Sequence, residues 1–280
     1  MADAPEGSPL QAAERGRMSV HPTAVVEPGA QLGEGVRIGP FAVIEADVQL
    51  GDGVEVGPHA VVQSGTIIGA RTRVHAHAVL GGAPQDKKHD GSLTRLEIGP
   101  DNVFREFVTA NRGSSQGGGT TRIGARNLFM ANCHIAHDCS VGSDVVMANS
   151  VALGGHVEIG DRAVLGGLSA VHQRCRIGRE AMVGGGAMAA LDVPPFTIAQ
   201  GDRARLFGLN IVGLRRAGRD TTVLSALKGA YRELFHDAQP LRIALEHVRK
   251  SYSHVPEVLE MVRFVEGSHR GVCRSTSPGS

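Results

Sequence analysis

The sequence predicts a mainly β chain: a parallel β-helix of six-residue repeats followed by a small α-helical domain. Three observations carry that expectation. An aliphatic residue recurs at every sixth position, and a small or β-branched residue follows it four positions later. Glycine supplies 38 of the 280 residues, aromatics only 4%, and tryptophan is absent. A helix would show a period of about 3.6 and a half-buried strand a period of two. A six-residue unit with two inward positions and a glycine-rich turn is one short strand plus a corner, the hexapeptide type of parallel β-helix.

Taken in order, residues 1–17 are polar and small, with Asp3, Glu6 and Glu14 and no apolar run. They read as a flexible tail and not as a signal peptide. No stretch is long and apolar enough to span a membrane, so a cytoplasmic protein without an integral membrane segment is expected. The repeat opens at Val20 and runs through Val26, Leu32, Ile38, Ile44 and Leu50 as far as Leu80, with Ala24, Ala30, Val36 and Ala42 at the companion position. It continues at Ile98 and Phe104, breaks near Asn111, and resumes one residue out of step at Ile123, ending at Ala189.

The β-helix is accordingly assigned to residues 18–198. Two interruptions that cannot fit the repeat, near 84–97 and 111–122, are read as loops expelled from the solenoid; such loops often carry function because a rigid scaffold holds their ends. Beyond Pro194-Pro195 the pattern stops. Helical spacing appears in Leu224, Leu227, Tyr231 and Leu234, then over 241–252 and 256–265, the last with proline in its first turn. Residues 199–280 therefore read as a helical C-terminal domain, frayed after His269.

Charge and cysteine usage narrow the function. The net charge of +1 gives no reason to expect nucleic acid as a partner. Of the four cysteines, Cys133, Cys139 and Cys175 fall at the small inward position of the repeat, and there is no CxxC pair. They read as buried thiols of a reducing compartment.

Chemistry concentrates in Asn132-Cys133-His134-Ile135-Ala136-His137-Asp138-Cys139. The repeat resembles the left-handed β-helices, in which three hexapeptides make one coil, and stacked strands lie ~4.8 Å apart. His156 then falls one coil above His137 and one residue along, within roughly 6 Å at the backbone. His172 falls two coils above and one residue back. None of these histidines takes an inward position. Two chemistries could use the cluster. In one, His137 is a general base whose tautomer Asp138 fixes. In the other, three histidines hold a metal ion shared between subunits. His134 and His137 point to different faces of one strand, which disfavours a shared ion.

The stretch 132–139, together with Gly155-His156-Val157, Ala170-Val171-His172-Gln173, Gln116-Gly117-Gly118-Gly119 and Asp192-Val193-Pro194-Pro195, resembles the UDP-N-acetylglucosamine O-acyltransferase family of lipid A biosynthesis. Ile198-Ala199-Gln200-Gly201 and Phe207-Gly208-Leu209-Asn210 extend the likeness, which covers nearly everything from Val20 onward. The resemblance implies a left-handed β-helix, a homotrimer, and transfer of a 3-hydroxyacyl group from acyl carrier protein to the sugar 3-hydroxyl, with no cofactor and no metal. It makes His137 the general base, Asp138 its orienting carboxylate, and the Gly155 N–H the oxyanion donor. It makes Gln85, Asp86, Lys88, His134, His156, His172, Gln173, Asn210 and Arg216 substrate contacts, and Gly185 the cap of the acyl groove. Glycine there implies a chain longer than ten carbons.

The sequence departs from the family pattern at Ala110-Asn111, Arg174, Val212 and Ala217. These positions bear on the nucleotide and acyl contacts and leave open an acceptor with a 3-amino group. A related sugar-nucleotide N-acyltransferase carries a uridine-binding domain before its solenoid, for which the residues ahead of Val20 are too few. A small-molecule acetyltransferase, a metal-dependent hydratase and a purely structural solenoid are the remaining alternatives. Arg215, Arg216, Arg219 and Lys228 form a basic stretch that could meet an acidic carrier protein.

Overall fold

Each hexapeptide folds as a two-residue strand and a corner, and three of them close one coil. Ser19 pairs with Arg37, Val25 with Val43 and Gln31 with Gln49, each eighteen residues on and parallel. In the computed structural model, residues 18–237 and 239–275 are described. Their strands stack into three sheets of eleven, nine and eight members, one per side of the coil. The expected flexible tail lies outside the described residues.

The two inward columns are the ones the period marks. Ile44, Ala60, Val62, Leu80, Ile135 and Leu153 are at most 1% exposed. Each buried aliphatic contributes roughly 1.5–3 kcal/mol. Phe104 and Phe129 stack at 4.8 Å inside the coil where the two interruptions fall. At each corner one residue takes the left-handed conformation, and Asp138, His156 and Arg174 succeed one another there with φ of 59°, 60° and 63°. Aspartate and histidine tolerate this region better than most side chains.

Register explains the phase of the repeat. Val74 pairs with Phe104, thirty residues on, so the first loop inserts twelve residues, two whole hexapeptides, and the phase survives. Ala110 pairs with Ile135, twenty-five residues on, so the second inserts seven and the phase slips by one. The loops are shorter than the sequence implies, because strand pairing resumes early. Arg95–Ile98 and Thr120–Ile123 are four-residue strands that pair with one another, Arg95 against Thr120. Asn111 still belongs to the strand Thr109–Asn111. The two loops also join directly: Gly113 N donates to Arg95 O (3.0 Å) and Arg112 N to Gly82 O (2.9 Å).

The last parallel strand, Thr197–Gln200, crosses the boundary expected at 198 and turns back as the antiparallel strand Arg205–Leu209. Four helices follow among the described residues: α1 (Ile211–Arg216), α2 (Thr221–Phe235), α3 (Leu241–Ser251) and α4 (Pro256–Glu266). The apolar spacing of Leu224, Leu227, Tyr231 and Leu234 is the buried face of α2. No helix among the described residues is long and apolar enough to cross a membrane.

Fraying after His269 is not what the structure shows up to Ser275. Cys273 N donates to Asp192 O (2.8 Å), Asp192 N to Gly271 O (2.9 Å), and Val272 and Cys273 are buried. Backbone pairing and apolar burial hold this return segment against the last coil. A second tie is Glu180, only 4% exposed, whose Oε1 meets Arg162 (2.7 Å), Arg179 (2.9 Å) and Arg219 (2.8 Å). Arg179 and Arg219 also reach Glu260 and Glu257 of α4.

Candidate active site

His134–Ile135 is a strand of the nine-member sheet, with Ile135 inward and His134 outward. The corner after it carries His137 and Asp138. The left-handed turn at Asp138 directs its carboxylate beneath the second loop, where the side chain is 1% exposed. Its Oδ1 accepts from Ser114 N (2.9 Å), and its Oδ2 accepts from Ser114 Oγ (2.6 Å) and His137 Nδ1 (2.7 Å). Asp138 N in turn donates to Thr121 Oγ1 (2.7 Å).

Electrostatics follow from this cage. Burial pushes the Asp138 carboxyl up, but the hydrogen bonds from Ser114 and His137 outweigh it and hold the group below the ordinary carboxylate range. A carboxylate only accepts, so His137 carries its proton on Nδ1 and the neutral ring presents its Nε2 lone pair outward. One coil above, Gly155 is packed so closely that a Cβ there would stand 2.7 Å from His137 Nε2 and Cε1. His156 N donates to His137 O (3.0 Å) and Gly154 N to Val171 O (2.9 Å). Between them, the N–H of Gly155 meets no acceptor among the described residues. An unprotonated imidazole nitrogen beside a free backbone N–H suits proton removal with oxyanion stabilisation.

The other sequence-predicted residues distribute unevenly around this point. His156 lies edge-on to His137 at 5.2 Å between ring centres. Burial, then the Arg174 cation, hold His156 below its ordinary value, against the opposing pull of Asp138 and Asp86. Asp86 of the first loop is thus part of the same electrostatic field, while Gln85 and Lys88 are exposed beside it. Asp86 Oδ1 accepts from Lys88 N (3.0 Å). His134 shares a hydrogen bond with Thr109 Oγ1 (2.8 Å), and burial lowers its affinity for a proton. His172 is exposed and donates from Nδ1 to Gln173 O (3.1 Å), and Gln173 is exposed beside it.

Three positions lie away from the imidazole. Gly185 is exposed, in the turn three residues before the strand Met188–Ala189 that closes the nine-member sheet, and a Cβ there would meet only Gly167 O at 3.4 Å. Arg216 is exposed at the end of α1. Asn210, expected as a nucleotide contact, is the buried N-cap of α1. Its Oδ1 accepts from Gly213 N (3.0 Å), and its Nδ2 donates to Glu180 O (3.0 Å). One N–H and one lone pair of the amide are used in this way.

Sequence reasoning missed Ser114 and Thr121, which grip Asp138, and Thr109. Among the described residues one group has metal-ligating geometry, His137, Asp138 and His156, with ligand atoms within 4.8 Å of one another. The Asp138 oxygens in it are already occupied by Ser114 and His137. All four cysteines are buried and free, and burial pushes the Cys139 and Cys273 thiols up to about 12 and Cys175 to about 11. They are neutral packing groups and not nucleophiles.

Fold and site together define a hexapeptide-repeat transferase, and the bacterial transferase hexapeptide family matches residues 47–82. The second domain of the UDP-N-acetylglucosamine O-acyltransferases matches residues 192–273. The curated enzyme named acyl-[acyl-carrier-protein]–UDP-N-acetylglucosamine O-acyltransferase from Myxococcus xanthus is 49% identical over 255 residues, covering 91% of this chain and 99% of its own length. Its counterpart from Alkalilimnicola ehrlichii is 50% identical over the same span. Among solved structures, LpxA from Acinetobacter baumannii is 38% identical with a TM-score of 0.89, covering 91% of this chain and 99% of its own. The UDP-N-acetylglucosamine acyltransferase from Campylobacter jejuni is 36% identical with a TM-score of 0.88, covering 92% and 100%. This chain belongs to the UDP-N-acetylglucosamine O-acyltransferase family.

Proposed function

We propose that this chain moves a 3-hydroxyacyl group from acyl carrier protein to the 3-position of UDP-N-acetylglucosamine, the first step of lipid A biosynthesis, with His137 as the general base. The observation that carries the reading is the alignment of His137 between Asp138 and Gly155, with its Nδ1 bonded to the carboxylate at 2.7 Å. His137 Nε2 takes the proton of the sugar hydroxyl as its oxygen attacks the thioester carbonyl. Charge that develops on the carbonyl oxygen is met by the Gly155 N–H. Collapse expels the carrier's thiolate, which the imidazolium reprotonates. A base of this kind is worth about 10²–10⁴-fold in rate, roughly 3–5 kcal/mol.

The chemistry calls on no cofactor or metal. Lys88 at the first loop is a point charge suited to a phosphate of the nucleotide. The chain acts as a cytoplasmic homotrimer. Support comes from the outward column of the nine-member sheet, where Val43, Val61, Val79 and Ala170 are half-buried and apolar, while the eight-member sheet presents Gln49, Glu97, Arg122 and Glu158. A sheet face that stays solvated alternates polar residues outward, and an apolar one needs a cover.

The test offers the purified protein a panel of acyl carrier thioesters with UDP-N-acetylglucosamine or its 3-amino analogue and identifies products by mass. An ester product with the hydroxyl sugar is expected, and His137→Ala is expected to lose transfer with the trimer intact. Near-normal turnover in that variant removes His137 as base, and an amide product alone reassigns the acceptor.

A further inference from the structure

We infer that Ser114, from the second expelled loop, is a positioning residue for the transfer reaction, holding Asp138 in the one orientation that aims His137. The inference rests on the reading of His137 as base. Ser114 makes two bonds to the carboxylate, from its backbone N to Oδ1 (2.9 Å) and from its hydroxyl to Oδ2 (2.6 Å). Together they fix the carboxylate plane, since each oxygen is held by a separate donor. His137 Nδ1 then meets an Oδ2 that is already placed. Without the Ser114 hydroxyl, Oδ2 keeps only the His137 bond, and the carboxylate plane is no longer fixed from both oxygens by the loop.

The loop that carries Ser114 is shaped for this contact. Gly113 is wedged against the returning strand, where a Cβ would lie 2.1 Å from Thr120 N, and Gly119 N donates to Ser114 O (2.9 Å). Gly117 lies flat on the carboxylate, and a Cβ there would stand 2.2 Å from Asp138 Cγ. Only a residue without a side chain closes over Asp138 at that distance. The loop therefore excludes water from the acceptor oxygens and supplies the hydroxyl that replaces it. Arg95 N donates to Gly119 O (2.8 Å), so the first loop's return strand braces the second.

The test compares Ser114→Ala, Ser114→Thr, Gly117→Ala and His137→Ala in steady-state acyl transfer, with thermal melting to confirm folding. Ser114→Ala is expected to lower kcat by about 10–100-fold, the usual cost of removing an outer support of a functional group, with KM little changed. Ser114→Thr retains the hydroxyl and should recover most of that rate. The acid limb of the rate profile should move to higher pH in Ser114→Ala, because the Asp138 carboxyl loses the hydroxyl bond that helps hold it low while its burial remains. In an Asp138→Ala background, Ser114→Ala should cost nothing further. Gly117→Ala should lower kcat in the same manner by displacing the carboxylate. Wild-type kcat and pH profile in both loop variants, with His137→Ala inactive, would overturn the positioning role alone. Full activity of His137→Ala would overturn the base and the positioning role together.

Discussion

The Cα of Gly155 faces the His137 ring so closely that a methyl group there would stand 2.7 Å from Nε2. Van der Waals contact needs about 3.5 Å, so Gly155→Ala must push the imidazole away from the Gly155 N–H. A misplacement near 1 Å costs roughly 10²-fold in rate. Single-turnover measurements should show that loss, with an unchanged melting temperature distinguishing it from misfolding.

Arg174 sits one coil above His156 at the same corner. Burial and this cation keep His156 deprotonated to lower pH than an ordinary histidine. Arg174→Ala removes the cation and leaves Asp138 and Asp86 acting, so the His156 titration followed by NMR should move upward. The sign for stability follows. Where a histidine's folded pKa is depressed, the unfolded chain binds the proton first, and stability falls as pH drops through the ordinary histidine range, about 6.5. Arg174→Ala should make that acid loss shallower, as read by melting temperature against pH.

Gly185 has open space above it, with Gly167 O its nearest neighbour at 3.4 Å from a built Cβ. Gly185→Met is therefore compatible with the fold and fills the surface where the acyl chain is expected to end. Competition between carrier thioesters of different length should shift toward the shorter chain. An unchanged preference places the end of the groove elsewhere.

Glu180 is buried among three guanidinium groups. Glu180→Ala removes the buried carboxylate they share and leaves Arg179 and Arg219 with only Glu260 and Glu257 as carboxylate partners. Breaking a buried pair by removing one partner costs about 3–5 kcal/mol. The loss should appear as a lower melting temperature and as faster hydrogen exchange in α2 and α4, which this cluster ties to the coil.

The β-helix was legible because its period is imposed by burial. Ile38, Ile44 and Leu50 point inward by geometry, and no neighbouring element can change that. The same regularity placed His156 above His137, since corners stack at eighteen residues. The rest of the site was illegible where periodicity ends. Ser114 reaches Asp138 only because a seven-residue insertion folds back on its own strand, and no repeat encodes that path. Asn210 has a structural role that the sequence does carry. Its place just before Ile211, with Gly213 three residues on, carries an N-cap signal. The helix it caps has six residues, too short for an apolar period to show.

The twelve- and seven-residue insertions have a consequence for how such an enzyme changes its substrate. Every strand takes its register from the coil beneath it, so the hexapeptide frame restarts at each corner instead of being counted from the first residue. An insertion that shifts the frame in the sequence, as the second loop does, leaves no displacement in space. Lengthening either loop therefore leaves the backbones of His137 and Gly155 one coil apart. What a change in the second loop does disturb is the side chain of Asp138, through Ser114, Gly117 and the returning Thr121.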